Sequence, residues 1–171
     1  AADGRKVILS DVDHVWPRNF PQWPWKSFTQ GLNTAFMDLY GATKIGDKEI
    51  KELKFVGDWR GNHETARQRM GHTLALARRV NLAAMTPQGA LASTGYCLAN
   101  AKPQGAEYVV YLPDGGRVTV DLSKTPGRLA VEWIDAGQGQ SMPDGEVEGG
   151  AEVTFKAPTD GDAVLYLRGH R

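Results

Sequence analysis

A change of period near the middle of the chain restricts its fold more than any other feature. Residues 108–112 (Tyr-Val-Val-Tyr-Leu), a Pro-Asp-Gly-Gly turn and residues 117–122 (Arg-Val-Thr-Val-Asp-Leu) read as a β-hairpin. In the second arm Val118, Val120 and Leu122 point one way while Thr119 and Asp121 point the other, giving one wet face. Asp-Gly-Gly supplies residues that tolerate positive φ in the turn. The first arm is apolar on both faces, so it belongs at the centre of a sheet or beneath the first half of the chain. Further strands are expected at residues 96–99, 129–134, 153–157 and 163–168. Many short strands separated by turns, without a helical pattern among them, favour an antiparallel β-sandwich over a barrel. Residues 135–150 hold five glycines and read as a long loop, either functional or mobile.

The first half follows an α/β pattern. Residues 6–10 (Lys-Val-Ile-Leu-Ser) suit a buried parallel strand, and residues 34–38 suit a second one. Between them Pro17, Pro21 and Pro24 exclude both a helix interior and a central strand, so residues 16–25 read as a loop and residues 26–32 as a short helix. After a charged connector over residues 44–54, a long helix is expected, with Asn62 as a plausible N-cap. Its apolar stripe is Ala66, Met70, Leu74, Ala77 and Val80. Arg67, Arg69, Arg78 and Arg79 lie mostly off that stripe, as a solvated face or a binding patch. The expected organisation is therefore α+β, with an α/β segment at residues 1–90 and a β-sandwich at residues 91–171.

Composition excludes several functions. Twenty basic and twenty acidic side chains cancel, and no like-charged run reaches five residues, so a nucleic-acid partner is not expected. No apolar run is long enough to span a bilayer, so no membrane partner is expected either. The lone Cys97 sits among apolar neighbours and reads as a buried structural thiol. His14, His63, His72 and His170 are scattered, without His-x-His or Glu-x-x-His spacing, so neither a metal site nor a cofactor is expected. No Gly-x-Ser-x-Gly, P-loop or dinucleotide fingerprint is present.

Residues 107–122, together with Val131-Glu-Trp-Ile-Asp135 and Ala163-Val-Leu-Tyr-Leu-Arg168, resemble the domain described as "putative collagen-binding domain of a collagenase". That domain typically follows an apiosidase-like (β/α)8 glycoside hydrolase barrel. Val7-Ile-Leu-Ser-Asp-Val-Asp-His14, Trp25-Lys-Ser-Phe28, Phe36-Met-Asp38 and Asn81-Leu-Ala-Ala-Met85 look like the end of such a barrel. The resemblance implies the C-terminal portion of a glycoside-hydrolase-like protein acting on carbohydrate, secreted or periplasmic. The alternatives are a non-catalytic accessory or binding module, or a structural piece completing a partner chain. A full barrel takes about 250 residues, and about 90 precede the sandwich. A partial barrel leaves an open strand edge, so a second copy or the missing barrel portion is the expected partner.

Asp11, Asp13 and His14 follow the first strand directly, where barrel enzymes place catalytic groups, and Asp38 ends the second in the same sense. Glycoside hydrolysis needs two carboxyls, one to protonate the departing oxygen and one to attack the sugar or activate water. Neighbouring strand ends lie ~5 Å apart, which makes Asp13 and Asp38 the first pair to consider, with Asp11 and His14 in support. Asp11 or Asp13 could equally cap a turn. Trp16, Trp23 and Trp25, with Lys26 beside them, could line a sugar cleft, since indole faces stack on sugar rings, or could pack in the interior.

Overall fold

The computed structural model describes residues 2–3, 6–11, 21–36, 44–45, 47–49 and 59–169, with the backbone alone at 44–45, 48–49 and 59–63. The first strand, β1 (Leu9–Asp11), and the second, β2 (Asn33–Ala35), pair in parallel, Leu9 opposite Asn33 and Asp11 opposite Ala35. Helix α1 (Trp23–Thr29) connects them. It begins three residues earlier than expected because Pro24 falls in the first turn, where a missing N–H costs nothing. Gly31, at φ +68°, then turns the chain back into β2.

The charged connector holds a small hairpin, β3 (Lys44–Ile45) and β4 (Lys48–Glu49), and leads into helix α2 (Trp59–Ala77). Asn62 is therefore inside the helix and is not its N-cap. The buried face of α2 also differs from the purely apolar stripe. It runs Ala66, Arg69, Thr73, Leu76 and on to Val80, while Leu74 is 51% exposed. Two polar residues are tolerated on that face because both are hydrogen-bonded. Arg69 donates to Asp162, and the Thr73 hydroxyl donates to the Met70 carbonyl at 2.8 Å.

The sandwich comprises β5 (Thr86–Pro87), β6 (Cys97–Asn100), β7 (Glu107–Leu112), β8 (Arg117–Asp121), β9 (Arg128–Asp135), β10 (Ser141–Glu148), β11 (Glu152–Lys156) and β12 (Ala163–Gly169). Six strands form an antiparallel sheet in the order β10-β9-β12-β7-β6-β5. The facing sheet pairs β8 with β11, and Ala92 adds a bridge to Val120. Tyr108, Val110, Leu112, Trp133, Leu165 and Leu167 meet Val118, Val120 and Phe155 between the sheets. Val118 and Val120 share one face, as their alternation predicts, and Thr119 on the other face pairs its hydroxyl with that of Thr154 at 2.8 Å.

Two expectations are corrected here. Residues 108–122 do not form a hairpin, because β7 pairs with β6 and β12 while β8 pairs with β11 in the other sheet. A strand apolar on both faces needs cover on both sides, whereas β8 needs it on one, so the turn carries the chain between layers. Gly115 and Gly116, at φ +64° and +75°, make that crossing. Residues 135–150 are likewise not one long loop. They contain β10, paired antiparallel with β9 and irregular between Pro143 and Glu146. An edge strand accommodates a proline and a bulge that a central strand would reject.

The outer face of the six-stranded sheet is covered by the first half of the chain. Val109, Tyr111, Ile134, Val164 and Tyr166 pack against Trp25, Leu76, Val80 and Met85. The doubly apolar β7 is thus both central and covered from outside. Polar ties run across the same seam: Arg69 to Asp162, Arg79 to Glu132 at 2.6 Å, and the Asn81 amide to Glu107 at 2.9 Å.

Candidate functional site

Parallel pairing makes β1 and β2 leave their sheet at the same end, in register at Asp11 and Ala35. Asp11 is exposed at that end. Asp13, His14, Trp16 and Asp38 lie outside the described residues. Trp23 opens α1 beside the end of β1, where its indole N–H donates to Ser10 Oγ at 3.1 Å. Its ring lies 6.1 Å from that of Phe36, just past β2, and it is 7% exposed.

Trp25 occupies a different environment. It is fully buried, its N–H donates to the Ala136 carbonyl at 2.9 Å, and its ring stacks on Tyr111 at 6.3 Å. Phe28 meets it edge-on at 6.2 Å. With its faces occupied by packing, Trp25 anchors α1 to the sheet and offers no surface to a sugar. Lys26, one residue on, is half-buried with its ammonium 5.6 Å from the centroid of Tyr96.

Lys26 and Gln22 form one wall of a cleft of about 420 Å³ beside the first turn of α1. The opposite wall is the turn between β7 and β8, with Asp114, Gly115 and Arg117, and Thr94 and Tyr96 also line it. Gln22 ties the walls together by donating its amide N–H to the Pro113 carbonyl at 3.0 Å. No local pattern reveals this cleft, because three segments distant in sequence contribute to it. The legible cue was limited to Lys26 next to an aromatic-rich segment.

Elsewhere in the core several polar groups are fixed. Tyr111 donates its hydroxyl to Asp162 at 2.7 Å, and Arg69 grips the same carboxylate. Burial first, and then the Asp162 hydrogen bond, push the Tyr111 phenol well above its usual range, so it stays protonated. Tyr166 is held the same way, by burial and by its 2.7 Å bond to Glu107. Cys97 is a buried free thiol, as expected, and burial pushes it up to about 12. Among the described residues, no three His, Cys, Asp or Glu side chains gather to hold a metal ion. Nor is any helix among them long and apolar enough to cross a membrane.

Residues 88–168 match the family model of the "Putative collagen-binding domain of a collagenase", a little under half of the chain that takes in the sandwich from β6 onward except its last residue. Two solved structures are similar over 90% of this chain. One is described as a glycoside hydrolase, at 15% identity and a TM-score of 0.67. The other is a glycoside hydrolase family 5 protein from Bacteroides vulgatus, also at 15% identity, with a TM-score of 0.66. At that identity the likeness is one of fold. The chain spans 37% and 36% of their lengths. No curated protein matches it.

Proposed function

We propose that the chain is the C-terminal portion of a glycoside-hydrolase-like protein, in which residues 1–90 complete a (β/α)8 barrel and residues 91–171 form an accessory sandwich. The observation that carries this reading is the parallel β1–α1–β2 unit. It brings Asp11 and Ala35 into register at one end, beside Trp23. Carboxylates at the carboxyl ends of adjacent parallel strands are what O-glycosyl hydrolysis requires of a barrel. In this assignment Asp13 and Asp38 are the acid and the nucleophile or base. Asp11 and His14 orient them, and Trp16, Trp23 and Lys26 contact substrate. Val7 and Leu9, at 80% and 69% exposed, mark the apolar side of β1 that the rest of the barrel or a second copy covers. The fold shared with glycoside hydrolases supports the reading, and a secreted or periplasmic location is part of the same proposal.

A second reading is a non-catalytic accessory or binding module, which the family match over the sandwich favours. Turnover separates the two. The protein expressed from its complete reading frame is assayed on aryl glycosides and plant polysaccharides, with release of reducing ends as the readout. The first reading expects hydrolysis of at least one substrate. Binding without hydrolysis across the panel selects the accessory module.

A further inference from the structure

We infer that the cleft between the first turn of α1 and the β7–β8 turn is a binding subsite for carbohydrate carrying negative charge, as a carboxylate or a sulfate ester. This inference rests on the carbohydrate reading above and narrows its substrate class. Two cations, Lys26 and Arg117, and one anion, Asp114, line the cleft, leaving it net positive. Among the described residues neither cation is held in an ion pair with a carboxylate. A concave wall concentrates the field of such charges, which raises the local concentration of anions.

The Lys26 ammonium does not wave in solvent. It rests over the Tyr96 ring at 5.6 Å, and Tyr96 is itself braced edge-on by Tyr111 at 6.1 Å. A cation positioned by a ring gives up little freedom on meeting an anion. The facing wall is equally fixed. A Cβ at Gly115 would lie 2.1 Å from the Gly161 carbonyl, so the turn is pressed against its neighbour. The Thr94 hydroxyl, whose oxygen accepts the Tyr96 backbone N–H at 3.4 Å, keeps its own O–H for a sugar hydroxyl, and among the described residues the Gln22 amide oxygen accepts no hydrogen bond. At about 420 Å³ the space falls within the ordinary range of small-ligand sites. Gln22 in its wall immediately precedes Trp23, whose indole N–H donates to Ser10 in β1.

The test is calorimetric titration of the full-length protein with three trisaccharides of matched linkage: neutral, hexuronic and sulfated. At least one charged trisaccharide should bind about tenfold or more tighter than the neutral one, and the arm that does so names the group. Lys26→Gln and Arg117→Gln should each weaken that binding by about tenfold, the scale of one charge-assisted hydrogen bond. Lys26→Arg should restore it, with melting unchanged throughout. The inference is overturned by equal binding of the neutral trisaccharide, by binding of none, or by charged binding that survives both glutamine variants. Turnover of neutral glycosides by a parent protein that shows no preference for a charged trisaccharide sinks the subsite alone. Intact binding without any turnover sinks the hydrolase reading alone.

Discussion

Replacing Trp25 with alanine probes whether the α/β segment and the sandwich share one core. The side chain is fully buried against the outer face of the six-stranded sheet, and its N–H is bonded to Ala136. Truncating a buried Trp costs about 3–5 kcal/mol in lost transfer energy and cavity formation. Leaving the Ala136 carbonyl unpaired adds roughly 1 kcal/mol. For a chain of this size each kcal/mol moves Tm by about 2–4 °C, so a drop of about 8–24 °C is expected. Urea unfolding followed by helix-sensitive and sheet-sensitive circular dichroism should give one coincident transition in parent and variant, displaced to lower urea in the variant. Trp25→Phe, which keeps a ring but loses the N–H donor, should fall between them. A cost below about 1 kcal/mol, or a sheet signal that melts separately and unshifted, would refute the shared core.

Acid should weaken the seam at Glu132. Burial pushes this carboxyl up, but hydrogen bonds from Arg79 and Ser141 outweigh burial and hold it below its usual 4.5. A depressed folded-state pKa gives stability that is present above about 4.5 and lost as pH falls through the folded value. Because Arg79 is 43% exposed, the contribution is only about 0.5–1 kcal/mol. Melting curves of the parent and Arg79→Met should differ by that amount at pH 7 and draw together as pH falls below about 4.5, and a constant gap would exclude the linkage. Cys97, at about 12, should resist a thiol-reactive disulfide at pH 8 until urea unfolds the chain, and prompt labelling of the native protein would contradict its burial.

Much of the sandwich could be read from alternation alone. Val118 and Val120 announce a one-sided strand, and the Val109/Val110 pair announces a two-sided one. Which strands pair is a different matter. The Pro-Asp-Gly-Gly turn suits a hairpin and a crossing between layers equally well, and only the need to cover both faces of β7 decides. Strand β10 is hidden because Pro143 and Gly145 mark breaks in a sequence, while an edge strand tolerates both. At the site, Asp11 at a strand end was legible, since a short apolar run followed by acids has few other readings. Trp25 was not separable from Trp23 by composition. Its burial depends on Tyr111 and Ala136, far along the chain. The cleft was invisible for the same reason, because its cations belong to α1 and β8.

The central functional claim concerns the carboxylates beyond β1 and β2, and kcat/KM of Asp13→Asn against the parent tests it most directly. The substitution removes a charge at nearly constant shape. On whichever glycoside the complete protein hydrolyses, a catalytic acid or base predicts a loss of about 10²-fold or more with Tm unchanged. A turn-capping role predicts instead a stability loss of about 0.5–2 kcal/mol. Undiminished turnover, or a lowered Tm with no hydrolysis by the parent, would contradict the catalytic assignment.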